Sequence, residues 1–241
     1  MKTRTGTGVL LAACAVFSWS GALASTTNCL NPAHYLKTGC SHPLSLAEPA
    51  EDRVYLRFQT GWASKYECEG LDLWDGSLCT FVPEIQYREW VGKIWYGVST
   101  DHQNHAELKY RLDYVKELGN WTVMPWYEHS FVFPGDKGIP RPGLKTTYRF
   151  SDRWFAGTDL YWQYNNHTFR GYYAAFAGLH EEIADCVRVD ATIRYGYNGG
   201  YVGPVVHHGS NALDYNLSFT FRATSRLTVE LFTNFSQALT V

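Results

Sequence analysis

Between Ala106 and Tyr114 the chain reads Ala-Glu-Leu-Lys-Tyr-Arg-Leu-Asp-Tyr, with an apolar or aromatic residue at every even position and a charge at every odd one. Only an extended strand sends two such sets to opposite faces. The same alternation runs from Val187 to Tyr195 and from Leu213 to Arg222. Weaker versions cover residues 53–66, 80–88, 93–100, 121–132, 143–150, 154–164, 168–180 and 226–235, which makes eleven predicted strands from Arg53 onward.

The connections sort into two kinds. Short polar or Gly-containing turns fall near 89–92, 116–120, 151–153, 181–186 and 223–225, and longer loops bearing Gly, Pro, Asn and His fall at 67–79, 101–105, 133–142, 165–167 and 196–211. Short turns at one end and long loops at the other describe an outer-membrane barrel. Hydrocarbon offers no partner to an unpaired amide, so a sheet in lipid must close on itself. The expected fold is therefore all-β, a transmembrane antiparallel up-and-down β-barrel of about twelve strands. Proline cannot donate to a ladder, so Pro83 and Pro125 are placed at strand ends or bulges and Pro204 in a loop.

Before Arg53 the pattern changes. Lys2 and Arg4 precede an apolar run from Val9 to Phe17, and Ala22-Leu23-Ala24 precedes Ser25, the small-x-small form of a signal-peptidase site. Residues 1–24 are read as a signal peptide, with Leu11-Ala12-Ala13-Cys14 as a competing lipobox-like reading. Residues 25–52 show no steady period and are read as a periplasmic segment, and 53–241 as the barrel domain. No window approaches the eighteen consecutive apolar residues of a membrane-crossing helix.

Composition sharpens this picture. Aromatic residues make up 16% of the chain, beside 21 glycines, as in barrels whose aromatics gather at the two membrane interfaces. Removing Lys2 and Arg4 takes the formal charge from -2 to -4, so nothing points to nucleic acid. Of the 6 cysteines, five follow residue 24. Cys29 with Cys40, and Cys68 with Cys79, are expected disulfides of an oxidising compartment, with Cys186 left over. The Cys68–Cys79 pair is expected because the two residues end one predicted strand and begin the next.

Trp62-Ala63-Ser64-Lys65-Tyr66 with Gly70, then Trp95-Tyr96-Gly97-Val98, then Glu107 to Tyr114, together with a tail strand beginning Leu227-Thr228-Val229, resembles the TorF family of porin-like outer-membrane proteins. The resemblance covers about residues 54–236 and implies a porin-like barrel with no catalytic residues. Glu67-Cys68-Glu69-Gly70 departs from the family's Arg-Gly, and Ala238-Leu239-Thr240-Val241 lacks the terminal aromatic that the barrel assembly machinery is expected to read. A twelfth strand is expected either from the N-terminal segment or from sequence beyond Val241.

The polar face carries the candidate chemistry. With the apolar set toward outer-membrane lipid, Arg57, Glu84, Glu107, Lys109, Arg111, Asp113, Asp159, Arg188, Asp190, Arg194, Asp214, Asn216 and Arg222 are expected to line the lumen. Their two signs nearly balance, which suits passive diffusion of small polar or ionic solutes with weak selectivity. Pairing within the Lys109–Arg111 stretch is not expected, since side chains two apart on a strand stand about 7 Å from each other. A non-conducting structural or adhesive barrel and a secreted β-sandwich binding protein are the alternatives. No GxSxG, HExxH or CxxC motif appears, and His102, His105, His167, His207 and His208 read as solvated loop residues, so no metal, cofactor or enzymatic activity is expected.

Overall fold

The structure is a computed structural model in which residues 14–22, 54–63, 66–68, 71–74, 77–101, 106–134, 138–165, 168–184, 186–200, 208–222 and 227–239 are described. Fifteen strands follow in order: β1 (Cys14–Ala22), β2 (Val54–Ala63), β3 (Tyr66–Cys68), β4 (Leu71–Trp74), β5 (Leu78–Tyr87), β6 (Trp90–Ser99), β7 (Ala106–Tyr114) and β8 (Lys116–Leu118). Then come β9 (Trp121–Phe133), β10 (Ile139–Arg149), β11 (Trp154–Asn165), β12 (Thr168–Ala184), β13 (Val187–Gly199), β14 (His208–Arg222) and β15 (Leu227–Ala238).

Twelve of these form one antiparallel wall. The pairings run β1-β2-β5-β6-β7-β9-β10-β11-β12-β13-β14-β15 and return from β15 to β1, so every wall strand has a neighbour on both sides. β3 and β4 make a separate hairpin inside the first long connection. β8 continues β7 past Val115 and stays on β9.

Two prolines mark irregularities in the wall. Pro125 lies between the ladder to β7, which ends at Asp113↔Trp126, and the ladder to β8, which begins at Lys116↔Val123. Pro83 lies in the step between Phe81↔Tyr96 and Glu84↔Lys93, where β5 and β6 skip two pairs. Both sit where a missing donor costs the ladder least.

The twelfth wall strand is β1, drawn from the stretch read as a signal peptide. Its register sets Ser18 against Gln59 and Thr228, and Trp19 against Phe58 and Leu227, so the polar row meets polar positions and the aromatic row meets apolar ones. The sequence after Val241 is not needed to fill the ring. Residues 25–52 lie outside the described residues.

The distribution of side chains is inverted relative to a water-soluble protein. Ile85, Ile94, Leu112, Ile193, Leu217 and Leu231 are exposed, while Glu84, Lys93, Glu107, Lys109, Asp113, Glu128, Lys145, Asp159 and Arg194 are buried. Outside the ring, Trp90, Trp121 and Trp154 stand near the short-turn end, with Trp90 against Tyr114 and Trp121 against Tyr148, each at 4.9 Å between ring centroids. Trp62, Phe133, Tyr164 and Tyr197 stand near the other end. Rings with an apolar body and a polar tip suit those two interfaces.

A charge placed on the outer face therefore tests the orientation of the wall. Ile193 is exposed near the middle of β13, and Ile193→Arg is expected to cost about 2–4 kcal/mol of stability in lipid vesicles, read by urea titration. No loss would mean that this face does not meet hydrocarbon.

Candidate functional site

The interior is built from register. One cross-strand row runs Arg57↔Glu84↔Lys93↔Arg111↔Glu128↔Arg141 from β2 to β10, a belt of charge around half the wall. Directly opposed residues share a face, so the alternation of each strand suffices to assemble the belt.

Its members pair with their neighbours. Arg57 is ion-paired with Glu84. Lys93 Nζ lies 2.5 Å from Asp113 Oδ2, and Arg111 Nε donates to Asp113 Oδ1 at 2.7 Å. Arg141 Nη1 donates to Glu128 Oε1 at 3.1 Å. One row toward the long loops, Lys109 Nζ stands 3.2 Å from Glu107 Oε1, and Ser130 Oγ donates to the same oxygen at 3.0 Å. Asp113 has no exposed surface, so two cations are held where little solvent competes for them.

Several of these contacts join residues two apart on one strand, contrary to expectation. Lys109 reaches Glu107, Arg111 reaches Asp113, and Arg188 Nε reaches Asp190 Oδ2 at 2.9 Å. The long aliphatic stems of Lys and Arg close a gap that their Cα spacing leaves open.

The second interior row is aromatic. Asp113↔Trp126↔Gly143↔Tyr161↔Tyr172 crosses β7 to β12. A Cβ at Gly143 would meet the Trp126 indole, so glycine lets that ring lie flat across β10 and approach Tyr161 at 5.5 Å between centroids. Tyr161 stacks on Tyr172 at 5.2 Å. Arg111 covers the Trp126 ring at 4.1 Å and Arg194 covers Tyr172 at 5.4 Å, within cation–π range.

The remaining predicted lining residues fall on the far side and at the short-turn mouth. Asp159 and Asp214 are buried, with Arg194 Nη2 at 3.5 Å from Asp159 Oδ2. Arg188 and Asp190 lie near the mouth, where His180 Nδ1 meets Asp190 Oδ1 at 2.7 Å. Asn216 is half-buried, and Arg222 pairs through its backbone with Thr228. Sequence reasoning missed Lys93, Glu128, Arg141 and Lys145, and placed no aromatic residue inside. The strand phase at Glu84, continued through Glu84↔Lys93, gives the first of these.

The expected Cys68–Cys79 disulfide is corrected. Cys79 is a free, exposed thiol. Wall strands β2 and β5 pair directly, which puts Trp62 opposite Cys79, while Cys68 turns back in the β3–β4 hairpin opposite Leu71. Cys29 and Cys40 lie outside the described residues, as do His102, His105 and His167.

This arrangement is a lipid-facing wall around a charged interior. No family model and no curated protein matches it, so the TorF resemblance is not confirmed. The solved structures to which the chain is similar include the following two. Outer-membrane expressed OmpT of Vibrio cholerae is 10% identical, with 98% of this chain and 99% of that one covered at a TM-score of 0.33. The in-vitro folded OmpT of the same organism is 11% identical, covering 78% of this chain and 65% of that one at a TM-score of 0.32. The expectation that enzymatic activity is absent is withdrawn here, because a barrel wall by itself excludes no chemistry.

Asp113 is the carboxylate on which Lys93 and Arg111 both rely. Asp113→Ala leaves two buried cations without it and is expected to lower stability by about 3–5 kcal/mol, measured by urea unfolding in micelles. Gly143→Ala is expected to cost about 1–3 kcal/mol by driving the Trp126 ring off the wall, with a shift in tryptophan emission.

Proposed function

We propose that the barrel is a narrow outer-membrane channel that passes small ions and polar solutes by diffusion with weak selectivity. The observation that carries this reading is how the interior charges pair. Arg57 with Glu84, Lys93 with Asp113, Arg111 with Glu128 and Arg141 with Glu128 join neighbouring wall strands, and Arg194 with Asp159 reaches past one strand, from β13 to β11. Charges neutralised along the wall line a bore with both signs and leave no large field to exclude either ion. Pairs reaching across the axis would instead close it.

The bore is narrow. Asp159 is 2% exposed and Lys145 3%, values of packed side chains, so permeant species are small. A non-conducting structural or adhesive barrel is the second reading, favoured by Asp113, Ser130 and Tyr172 at 0% exposure.

Planar-bilayer recording separates the two. Discrete steps of small conductance are expected from inserted, heat-modifiable protein. Arg111→Gln removes one positive lining charge and is expected to shift the reversal potential toward cation preference. A bilayer that stays silent with properly folded protein would sink the channel and leave the structural barrel.

A further inference from the structure

An ion that uses the bore must enter or leave through the short-turn mouth, where one group of side chains is both held in place and open to solvent. His180 and Asp190 are directly opposed on β12 and β13. His180 Nδ1 donates to Asp190 Oδ1 at 2.7 Å and Arg188 Nε donates to Asp190 Oδ2 at 2.9 Å, so each donor has its own carboxylate oxygen. The backbone is fixed as well, since His180 N donates to Arg153 O at 2.8 Å.

Exposure separates this contact from the belt. The His180 side chain keeps 29% of its surface and Asp190 15%, against 0% for Asp113 and 3% for Asp159 deeper in the bore. Protons and permeant ions from the turn-side solution therefore reach it directly. Other wall histidines do not share this place. His129 is on the outward face, 3.3 Å from the Tyr127 hydroxyl and stacked on Phe131 at 4.7 Å, and His208 begins β14 at the long-loop end.

Several charged groups surround His180. On β13 they are Asp190 and Arg188, and on β12 itself Glu182, while Glu181 is held by Arg153 of the β10–β11 turn at 3.0 Å. β14 brings Ser218 and Thr220 opposite Asp190 and Arg188, and Glu230 of β15 is opposed to Thr220. Arg149 of β10, at the same mouth, lies 3.4 Å from Glu117. An imidazole changes charge between about pH 5 and 8. In the neutral ring Nδ1 carries the hydrogen given to Asp190, so the second proton enters at Nε2 and leaves that bond in place. Whatever the standing charge of the mouth, each proton bound there adds one positive charge at a fixed point on the ion path.

We propose that His180, held by Asp190 at the short-turn mouth, ties the ion preference of the channel to pH, so that the bore favours cations less as the turn-side solution is acidified. This rests on the channel reading above.

The test is the permeability ratio of potassium to chloride across planar bilayers holding the full chain, measured at about pH 8 and about pH 5. One unit charge felt through water at a few ångströms is worth about a factor of three, and the ratio of the unmodified protein is expected to fall by about that much on acidification. His180→Gln keeps a donor for Asp190 but takes up no proton, and is expected to show the same ratio at both pH values. His180→Arg carries its charge at both and is expected to hold the ratio near the acidic value of the unmodified protein. Both variants are recorded in heat-modifiable protein. A ratio in the unmodified protein that does not change with pH, or a fall that persists undiminished in His180→Gln and His180→Arg, would overturn the assignment while leaving a conducting channel. A silent bilayer with properly folded protein would instead remove the channel reading, and this one with it.

Discussion

An amide that turns toward hydrocarbon finds nothing to bond, and each one left unpaired costs several kcal/mol. Every other feature of this chain follows from that requirement. The sheet returns from β15 to β1 because an open edge in lipid would strand a column of such groups. Closure then fixes an inside and an outside, and period-two alternation delivers apolar residues to one and charges to the other. The interior is polar here because the outer positions already take the apolar set, as Leu112 and Asp113 show on adjacent residues of β7.

The interior faces the converse difficulty. A buried charge without a partner is as costly as an unbonded amide, so register must bring opposite signs together. It does so by simple row arithmetic, placing Glu84 between Arg57 and Lys93, and Glu128 between Arg111 and Arg141. Glycine solves a different problem in the next row. Trp126 is too large to stand upright in a narrow bore, and the absent Cβ of Gly143 gives its ring a place to lie. Charge pairing and ring packing thus share Arg111, which bonds Asp113 through Nε and covers Trp126 with its guanidinium face. A planar cation is suited to both contacts at once.

Much of the wall was legible because strand periodicity is local. The predicted strand at 106–114 is β7, and the predicted starts at 154, 168 and 187 are those of β11, β12 and β13. Errors came where the local signal was interrupted. Pro140 and Pro142 made residues 139–142 read as loop, although a strand tolerates proline wherever the donor is not needed. Pro125 broke the phase of β9 and hid Glu128, and Thr146-Thr147 blurred the phase that buries Lys145. Tyr161-Trp162 and Tyr172-Tyr173 are doublets, which carry no phase at all, so an inward aromatic row could not be read from them. The Cys68–Cys79 pairing failed for a long-range reason. Which residue faces Cys79 depends on how β2 and β5 align across an intervening hairpin, and spacing in sequence does not encode that.

The same closure rule bears on the stretch that the sequence assigns to export. β2 and β15 each run antiparallel to β1, so they run in the same direction as each other. Without a strand between them, sealing the wall would require a parallel pair, the less stable arrangement and one absent from every other wall ladder. An amino terminus cut after Ala24 and a wall containing Cys14–Ala22 therefore cannot describe the same molecule. The seam demands a strand of β1's direction, with small or polar residues meeting Gln59 and Thr228 and apolar residues meeting Phe58 and Leu231. Ser18, Trp19 and Ala15 occupy those rows in the full-length chain. Amino-terminal sequencing of the membrane-inserted protein distinguishes the two descriptions: recovery of residues upstream of Ser25 places β1 in the working barrel, and a terminus at Ser25 assigns the slot to a different strand of the same direction.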